Sequence, residues 1–446
     1  MTFREDFGAA MIIDFTIENF RSIKNEQVFS MYVENPKRHL ADNVVFPAED
    51  KIGALRSAAI YGANASGKSN FLRAFSALRY IACNSGDLKD GEKIRCYEPY
   101  LLSADTLDAP VKFSLEFVNT DKKRYRYSVS FNNFEILDEV LEFFPSRVKA
   151  ILFKREPHTD WNDVYFGGLY KAKSRKIPFF KNNSYLAKAG NSAGSSEVMR
   201  SVYDYIWSNF MFHGSMDDVF GPLYEDPRVL RLASDFLCNI DTGIDEIEQK
   251  DGDPLPTDLI PENFPKHLRE RIIARTKKDY LFGHKMEDGE IKKFKRSEES
   301  MGTQKLFTML PFLLKAFKTG SVLIVDEIDA SYHPHIAELI IKLFNDPEVN
   351  INNSQLIFST HSFHLMSPNI MRRDQIWFVE KHDGQSEIYS LNEYDKNTLK
   401  STSPFADWYN DGRFGALPSV NYGAISRLIR ENNALVDVEN HASESS

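Results

Sequence analysis

The sequence predicts an α/β protein with a mixed β-sheet, an antiparallel β subdomain and a mainly helical insert. Three observations carry this. Met11 to Phe20, Val111 to Val118 and Arg124 to Phe131 alternate apolar and polar residues with period two, as half-buried strands do, and Asn119 to Lys122 between the last pair suits a hairpin turn. Short runs around Ile60, from Ser321 to Val325 and from Leu356 to Phe358 are instead continuously apolar, which is the pattern of parallel strands covered on both faces. Stripes at helical spacing follow: Phe71, Leu72, Phe75 and Leu78; Val198, Val202, Ile206 and Phe210; Leu306, Met309, Leu310, Leu313, Leu314 and Phe317.

Bulk properties narrow the class. A chain of 446 residues is long for one core and predicts two or three domains, while a 42% hydrophobic content supplies enough apolar surface to fold them. No uninterrupted apolar run reaches the roughly 18 residues a membrane-spanning helix needs. Met1 to Ala10 carries charges of both signs and lacks the apolar centre of a secretory signal, so it reads as a tail or as an upstream start before Met11; a cytoplasmic location is expected. Cys83, Cys96 and Cys238 stand far apart, which predicts buried reduced thiols rather than disulfides or a zinc site. A net charge of −9 argues against indiscriminate polyanion binding but leaves room for a local basic groove.

Taken in order, Val28 to Val33 is a candidate partner strand for Met11 to Phe20, and Asn35 to Lys51 a connecting loop. A helix is expected from Asn70 to about Cys83, then a polar break to Glu92. Glu135 to Phe144 and Ala150 to Lys154 extend the antiparallel meander. Val164 to Ser196 holds no acidic residue, yet contains Lys171, Lys173, Arg175, Lys176, Lys181 and Lys188 among Tyr170, Phe179, Phe180 and Tyr185. That mixture could hold a phosphate backbone and stack bases, or could simply be a solvated loop. Four prolines between Asp251 and Pro265 mark a loop, and the basic run from Lys266 to Arg296 reads as a solvated face. The expected organisation is an N-terminal half at 1–196, an insert at 197–296, a C-terminal half at 297–425 and a polar tail at 426–446.

The chemistry is concentrated in a few motifs. Gly62-Ala63-Asn64-Ala65-Ser66-Gly67-Lys68-Ser69 has the spacing of a phosphate-binding loop: glycines let successive backbone N–H groups face the anion, and the next helix adds its positive end. Lys68 would reach the β- and γ-phosphates and Ser69 would place its hydroxyl on Mg²⁺. The strand ending in Asp326-Glu327 offers one carboxylate to support Mg²⁺ and a second to orient or deprotonate the attacking water. Another strand ends in Thr360-His361, where an imidazole can sense a γ-phosphate, and Ser300-Met301-Gly302-Thr303-Gln304 opens a helix able to bind a further anion. A spare anion site makes sense if it serves the nucleotide of another copy. His333-Pro334-His335 looks like a metal-ligand pair but is read as structural or nucleotide-proximal.

Together with Asn19-Phe20-Arg21-Ser22 and the Ile328-Asp329-Ala330 segment, these motifs resemble an ABC-type ATPase head of the SMC and RecF/RecN kind. More narrowly they resemble the small bacterial RloA/AbiLi-type ATPases of phage-defence operons, for which Asp241 to Ile244, Asp374 to Glu380 and Gly412 to Pro418 also match. The resemblance implies ATP and Mg²⁺ as cofactors, with Gly62, Asn64, Gly67, Lys68, Ser69, Asn70 and Arg21 binding the nucleotide. It further implies Ser69 and Asp326 at the metal, Glu327 as base, His361 as switch, and Ser300 and Gly302 on the γ-phosphate across a head-to-head homodimer or higher homo-oligomer. Asp329 and Ala330 would lie in the loop crossing that interface. A co-encoded effector such as a nuclease is the implied partner. A DNA-binding repair ATPase and a nucleotide-binding scaffold with little turnover remain as alternatives, so nucleic acid stays a candidate partner. Two departures stand out: no Gln occurs from Asn70 to Phe210 to supply the usual glutamine loop, and the insert is too short and poor in heptads for a long coiled coil.

Overall fold

The computed structural model describes residues 10–34, 39–48, 52–145, 148–172, 174–214, 224, 226–252, 278–330, 333–395, 398–418, 421–430 and 432. In chain order the strands are β1 (Met11–Glu18), β2 (Gln27–Ser30), β3 (Tyr32–Val33), β4 (Val44–Val45), β5 (Gly53–Leu55), β6 (Ser57–Tyr61), β7 (Val111–Val118), β8 (Arg124–Phe131), β9 (Ile136–Phe144), β10 (Ala150–Arg155) and β11 (Tyr165–Phe166). They continue with β12 (Phe210–His213), β13 (Glu246–Asp251), β14 (Lys278–Lys285), β15 (Ile291–Lys295), β16 (Val322–Val325), β17 (Gln355–Ser359), β18 (Ile376–His382) and β19 (Gln385–Ser390). The helices used below are α1 (Lys68–Arg79), α2 (Tyr185–Gly190), α3 (Glu197–Asn209), α4 (Pro227–Cys238), α5 (Met301–Thr319), α6 (Pro334–Asn345) and α7 (Phe405–Asn410).

Two large sheets organise these elements. A seven-stranded antiparallel sheet runs β11-β10-β9-β8-β7-β1-β2, and a six-stranded sheet runs β12-β16-β17-β6-β18-β19, parallel until β19 turns back on β18. The continuous apolar runs are explained by the second sheet, which is covered on both faces. Ile60, Val322, Ile324 and Ile357 face a core shared with α1 and the seven-stranded sheet, where Phe15, Phe71, Phe75 and Phe113 meet. Tyr61, Leu323, Val325 and Phe358 face the other way, against Leu310 and Leu313 of α5 and Ile340 and Phe344 of α6. In β1 the alternation reports one-sided burial: Phe15 and Ile17 are fully buried, while Thr16 and Glu18 are half-buried.

Several expectations change. The segment from Val28 to Val33 is not one strand, because β2 pairs with β1 whereas β3 joins a separate small sheet with β5 and β4. The helix after the phosphate loop begins at Lys68, runs to Arg79, and ends in one wider π-helical turn from Tyr80 to Asn84. Among the described residues, 197–296 holds strands β12 to β15 as well as helices α3 and α4. Met199, Val202 and Ile206 of α3 belong to the head core, and β12 is the edge strand beside β16, so this segment begins inside the head. Further on, β13, β14 and β15 form an antiparallel sheet. Phe282 of β14 is buried against Phe307 of α5, at 5.1 Å between rings, while Lys292, Lys293 and Lys295 stay exposed; surface lysines hid a strand pattern from sequence reading. The proline-rich segment at 253–265, residues 266–277, Ser331, Tyr332 and most of the polar tail lie outside the described residues.

The basic aromatic stretch is also mostly committed. Tyr170 and Tyr185 are buried in the core with their hydroxyls 3.2 Å apart, and Phe179 sits under the Arg155 guanidinium, which leaves Phe180 as its exposed ring. Lys173 falls outside the described residues. Cys83 is buried and Cys96 half-buried, but Cys238 is exposed, contrary to expectation. Among the described residues no helix is long and apolar enough to cross a membrane.

Pro311 sits inside α5 and is buried. A proline there cannot donate to the carbonyl four residues back, that of Phe307. The Tyr224 hydroxyl donates to that carbonyl instead, at 2.6 Å, with the two rings stacked 4.5 Å apart. Replacing Tyr224 with Phe keeps the stack and orphans the buried carbonyl, which should cost about 1–3 kcal/mol. Denaturant midpoints measure this directly, and a Tyr224→Phe variant as stable as the parent would show that the carbonyl has another donor.

Candidate functional site

Four parallel strands, β12, β16, β17 and β6, end at one edge of the six-stranded sheet, which is where ligands bind in open α/β sheets. From β6 the chain enters the glycine loop. Gly62 and Gly67 are required by space: a Cβ at Gly62 would collide with the Val379 carbonyl oxygen of β18, and one at Gly67 with the Ser386 hydroxyl of β19. Ser386 also donates to the Ser66 carbonyl at 2.5 Å and lies 2.8 Å from the Ser22 hydroxyl. Asn70 Nδ2 donates to that same Ser22 oxygen at 2.9 Å. The loop is thus clamped from two sides by hydroxyls distant in sequence. Lys68 Nζ turns back to the carbonyls of Gly62 (2.8 Å) and Ala63 (3.1 Å), so the ammonium closes the ring of the loop. Burial pushes its pKa below the ordinary lysine value, opposed by Asp326, Glu327 and Asp329.

Beside the loop, β16 delivers the carboxylates. Asp326 Oδ1 accepts from Ser359 Oγ at 2.6 Å, and that hydroxyl oxygen in turn accepts from the Glu327 N–H at 2.7 Å. One serine on β17 therefore fixes both acidic positions. The Glu327 backbone lies in the left-handed region at φ 55°, a strained conformation for this residue, and its side chain is exposed at the site's mouth. Adjacent β12 contributes a backbone bond, the Asp326 N–H donating to the His213 carbonyl at 3.1 Å.

Thr360 and His361 follow β17. Thr360 N–H reaches the Ile60 carbonyl at 3.1 Å, tying this strand end to the root of the phosphate loop, and His361 N–H lies 3.4 Å from Asp329 Oδ2. The structure thus gathers Gly62, Lys68, Asp326, Glu327, Asp329 and His361 around one locus. Arg21 joins from the turn after β1. Its backbone is left-handed at φ 53°, and its Nη1 is 3.3 Å from Asn70 Oδ1.

Ser300 and Gly302 are not part of that gathering. Ser300 caps α5, its hydroxyl accepting from the Thr303 N–H at 3.1 Å, and Met301 next to it is exposed. Because α5 ends at Gly320 just before β16, helix and strand run in opposite directions, and the signature start lies on the sheet face away from α1. Among the described residues no hydrogen bond or ion pair links Ser300 or Gly302 to the glycine loop. His333 and His335 stack at 4.9 Å, with His335 3.6 Å from Glu338, and no group of three potential metal ligands occurs among the described residues.

The residue set fits a nucleotide with a hard divalent cation. Ser66 Oγ in the loop, Asp329 Oδ1 beyond the paired carboxylates and Ser362 Oγ beyond His361 are buried polar atoms with no hydrogen-bond partner among the described residues. The Ser69 hydroxyl and Asp326 carboxylate are oxygen donors of the kind Mg²⁺ takes. Sequence reading gave no bracing role to Ser359, Ser386 or Ser22. Ser22 stood in the Asn19-Phe20-Arg21-Ser22 motif and Ser359 in the Phe358-Ser359-Thr360-His361 run, but the partners of these hydroxyls are set by strand order.

Partial desolvation, followed by the nearby Lys68 charge, holds the His361 imidazole below the ordinary histidine value of 6.5, against the pull of Asp329, Glu327 and Asp326. His361 should therefore be neutral at pH 7, and its protonation should be completed only as the pH falls past a midpoint lower than 6.5. Removing the Lys68 charge with Lys68→Met should move that midpoint upward. NMR titration of the nucleotide-free protein reads both; a midpoint at or above 6.5, or a downward move, refutes the assignment.

No curated protein matches the chain. Among solved structures the chain is similar to the SMC head domain from Thermotoga maritima, at 13% identity over 85% of this chain and 98% of that one, with TM-score 0.38. It is similar also to the Pyrococcus furiosus Smc head with an extended coiled coil bound to the C-terminal domain of ScpA, at 14% identity, 85% and 96% coverage and TM-score 0.40. A third likeness is to the recombination mediator protein RecF with ATP, at 14% identity, 87% and 100% coverage and TM-score 0.36. The family described as "AAA domain, putative AbiEii toxin, Type IV TA system" matches residues 57–367, from the first residue of β6 to just beyond His361. That span takes in the glycine loop, the paired carboxylates and the strand that orients them, and the chain belongs to this AAA-domain family as an ATPase.

Proposed function

We propose that this chain is an ATP-hydrolysing switch that works as a homodimer or higher homo-oligomer and governs a partner effector, such as a nuclease, in a phage-defence system. The observation that carries the dimer is that, among the described residues, no hydrogen bond or ion pair joins Ser300 or Gly302 to the loop they would complete; the Ser300 hydroxyl only caps its own helix. A helix start with no bond to its own copy's loop is suited to serve a γ-phosphate on another copy's loop. The family's description as a putative toxin of a toxin–antitoxin system supports a role in controlling a partner.

Within one copy, the loop amides and Lys68 hold the phosphates, and Asn64, Ser69 and Asn70 line the same anion path. Ser69 and Asp326 would hold Mg²⁺, which supplies charge neutralisation between the β- and γ-phosphates. Glu327, whose backbone is fixed through Ser359, orients the attacking water and accepts its proton. The neutral His361 imidazole donates its ring N–H toward the γ-phosphate, while Asp329 accepts from its backbone N–H. Binding then closes two copies and hydrolysis releases them, so turnover times the contact with the effector.

Glu327→Gln preserves size and removes the base, so ATP turnover should fall by about 10²–10⁴-fold while nucleotide affinity is retained. The variant should accumulate as an ATP-dependent dimer in light scattering. Equal turnover for parent and variant would refute the assignment of Glu327, and equally negligible turnover in both would leave a nucleotide-binding scaffold in its place. Ser300→Arg should abolish the ATP-dependent dimer without weakening nucleotide binding to the monomer; loss of monomer binding would place Ser300 in its own copy's site instead.

A further inference from the structure

Glu98 is untouched by the proposed chemistry, yet its contacts converge on Arg21. It lies in the long connection between α1 and β7, far from any motif. Its carboxylate takes the side edge of the Arg21 guanidinium, with Nε to Oε2 at 2.6 Å and Nη2 to Oε1 at 2.8 Å. The backbones are joined as well, the Arg21 N–H donating to the Glu98 carbonyl at 2.7 Å. Arg21 is therefore held by three bonds to a single residue, on a left-handed backbone that it would not adopt unaided. The edge Glu98 leaves open is the one carrying Nη1, and that edge faces Asn70 in the first turn of α1, one residue past Ser69.

The surroundings argue against a surface ion pair of no consequence. Arg21 and Glu98 line a cleft of about 350 Å³ along the outer side of α1, together with Arg73, Arg79 and Arg95. Among these, Arg79 is committed to the Phe210 carbonyl and stacks over Phe212 at 4.7 Å. Glu98 is the one carboxylate among the residues lining this cleft, and its bidentate bond goes to the arginine that reaches Asn70, three residues past Gly67. A guanidinium gripped along one edge keeps the remaining donors in a fixed plane, so little rotamer freedom is lost when an anion arrives.

We propose that Glu98 is a positioning residue that presets Arg21 for the nucleotide bound at the Lys68 loop, so that the pair acts as one oriented donor rather than as a latch that ATP must break. The inference rests on the reading that the loop and Arg21 receive ATP. The glutamate stands off the phosphates on the far side of the guanidinium, and the neighbouring arginines offset its charge.

A double-mutant cycle with a fluorescent ATP analogue tests this in the full-length protein, with steady-state hydrolysis alongside. Glu98→Ala should weaken nucleotide binding and raise KM roughly 5- to 20-fold with kcat little changed, as loss of an oriented ground-state contact does. Glu98→Gln, which can still accept from one guanidinium nitrogen, should recover part of that loss. In an Arg21→Ala background, Glu98→Ala should change affinity by less than about twofold, because its route to the nucleotide is gone. Tighter binding by Glu98→Ala in the Arg21-containing protein would identify a competing latch and overturn the proposal. So would equal losses in the two backgrounds, or unchanged affinity in both. If the parent itself fails to bind the analogue, the nucleotide assignment of the loop falls, and this proposal falls with it. Nucleotide affinity of Arg73→Ala, close to the parent's, checks that a change on the same cleft wall does not mimic the effect; a loss as large as that of Glu98→Ala would overturn the specific role of Glu98.

Discussion

Because β6, β16 and β17 are buried on both faces, no polar side chain can leave them sideways without losing its hydration. Chemistry is confined to the strand ends, and parallel pairing puts those ends on one edge. The glycine loop, the two carboxylates and the histidine reach a common locus for that reason, although they begin at positions 62, 326 and 361. The register makes this concrete. Val325 lies beside Phe358 in the β16–β17 ladder and Ser359 beside Ile60 in the β17–β6 ladder, so Asp326, Thr360 and Gly62 emerge within two steps of each other.

Around that edge, hydroxyl groups carry the organisation that the charged residues require. Ser359 joins the Asp326 carboxylate to the Glu327 backbone, while Ser386 and Ser22 brace the loop from β19 and from the turn after β1. A serine suits both places because a single hydroxyl donates one hydrogen bond and still accepts another. The clamp also ties the glycine loop to the antiparallel strand β19, which sequence reading left unremarked. The left-handed backbones of Arg21 and Glu327 fall at residues of the candidate site, the pattern expected where a fold holds local strain at a functional site.

Local patterns were legible where one segment is sufficient to state the chemistry. Gly62 to Ser69 declares a phosphate loop by spacing, and an apolar strand ending in Asp326-Glu327 declares its partner. The β7–β8 hairpin was readable because period-two alternation survives in a sheet with one wet face. By contrast, β13 to β15 were hidden by lysines that sit on the solvent side of a small sheet, and β3 was fused with β2 because a break of one residue leaves little composition to mark it. The aromatic residues at Tyr170 and Tyr185 read as base-stacking candidates, but they fill the core, since a ring's identity does not state which way it faces. Burial of β12 beside β16 likewise removed the expected boundary at residue 197.

By itself the sequence determined the class of chemistry, an α/β nucleotide-binding chain with a loop for phosphate, oxygen donors for a hard cation and a carboxylate to act on water, because each depends on residue types at short fixed spacing. Tertiary structure decided the rest. It alone joined Glu98 to Arg21 across 77 positions and seated Ser386 against Ser66 across 320. It alone turned the Ser300 helix start to the opposite face of the sheet. Such pairings follow from strand order and from the direction in which helices cross a sheet, and those are set by how the whole apolar surface is buried rather than by any stretch of neighbouring residues.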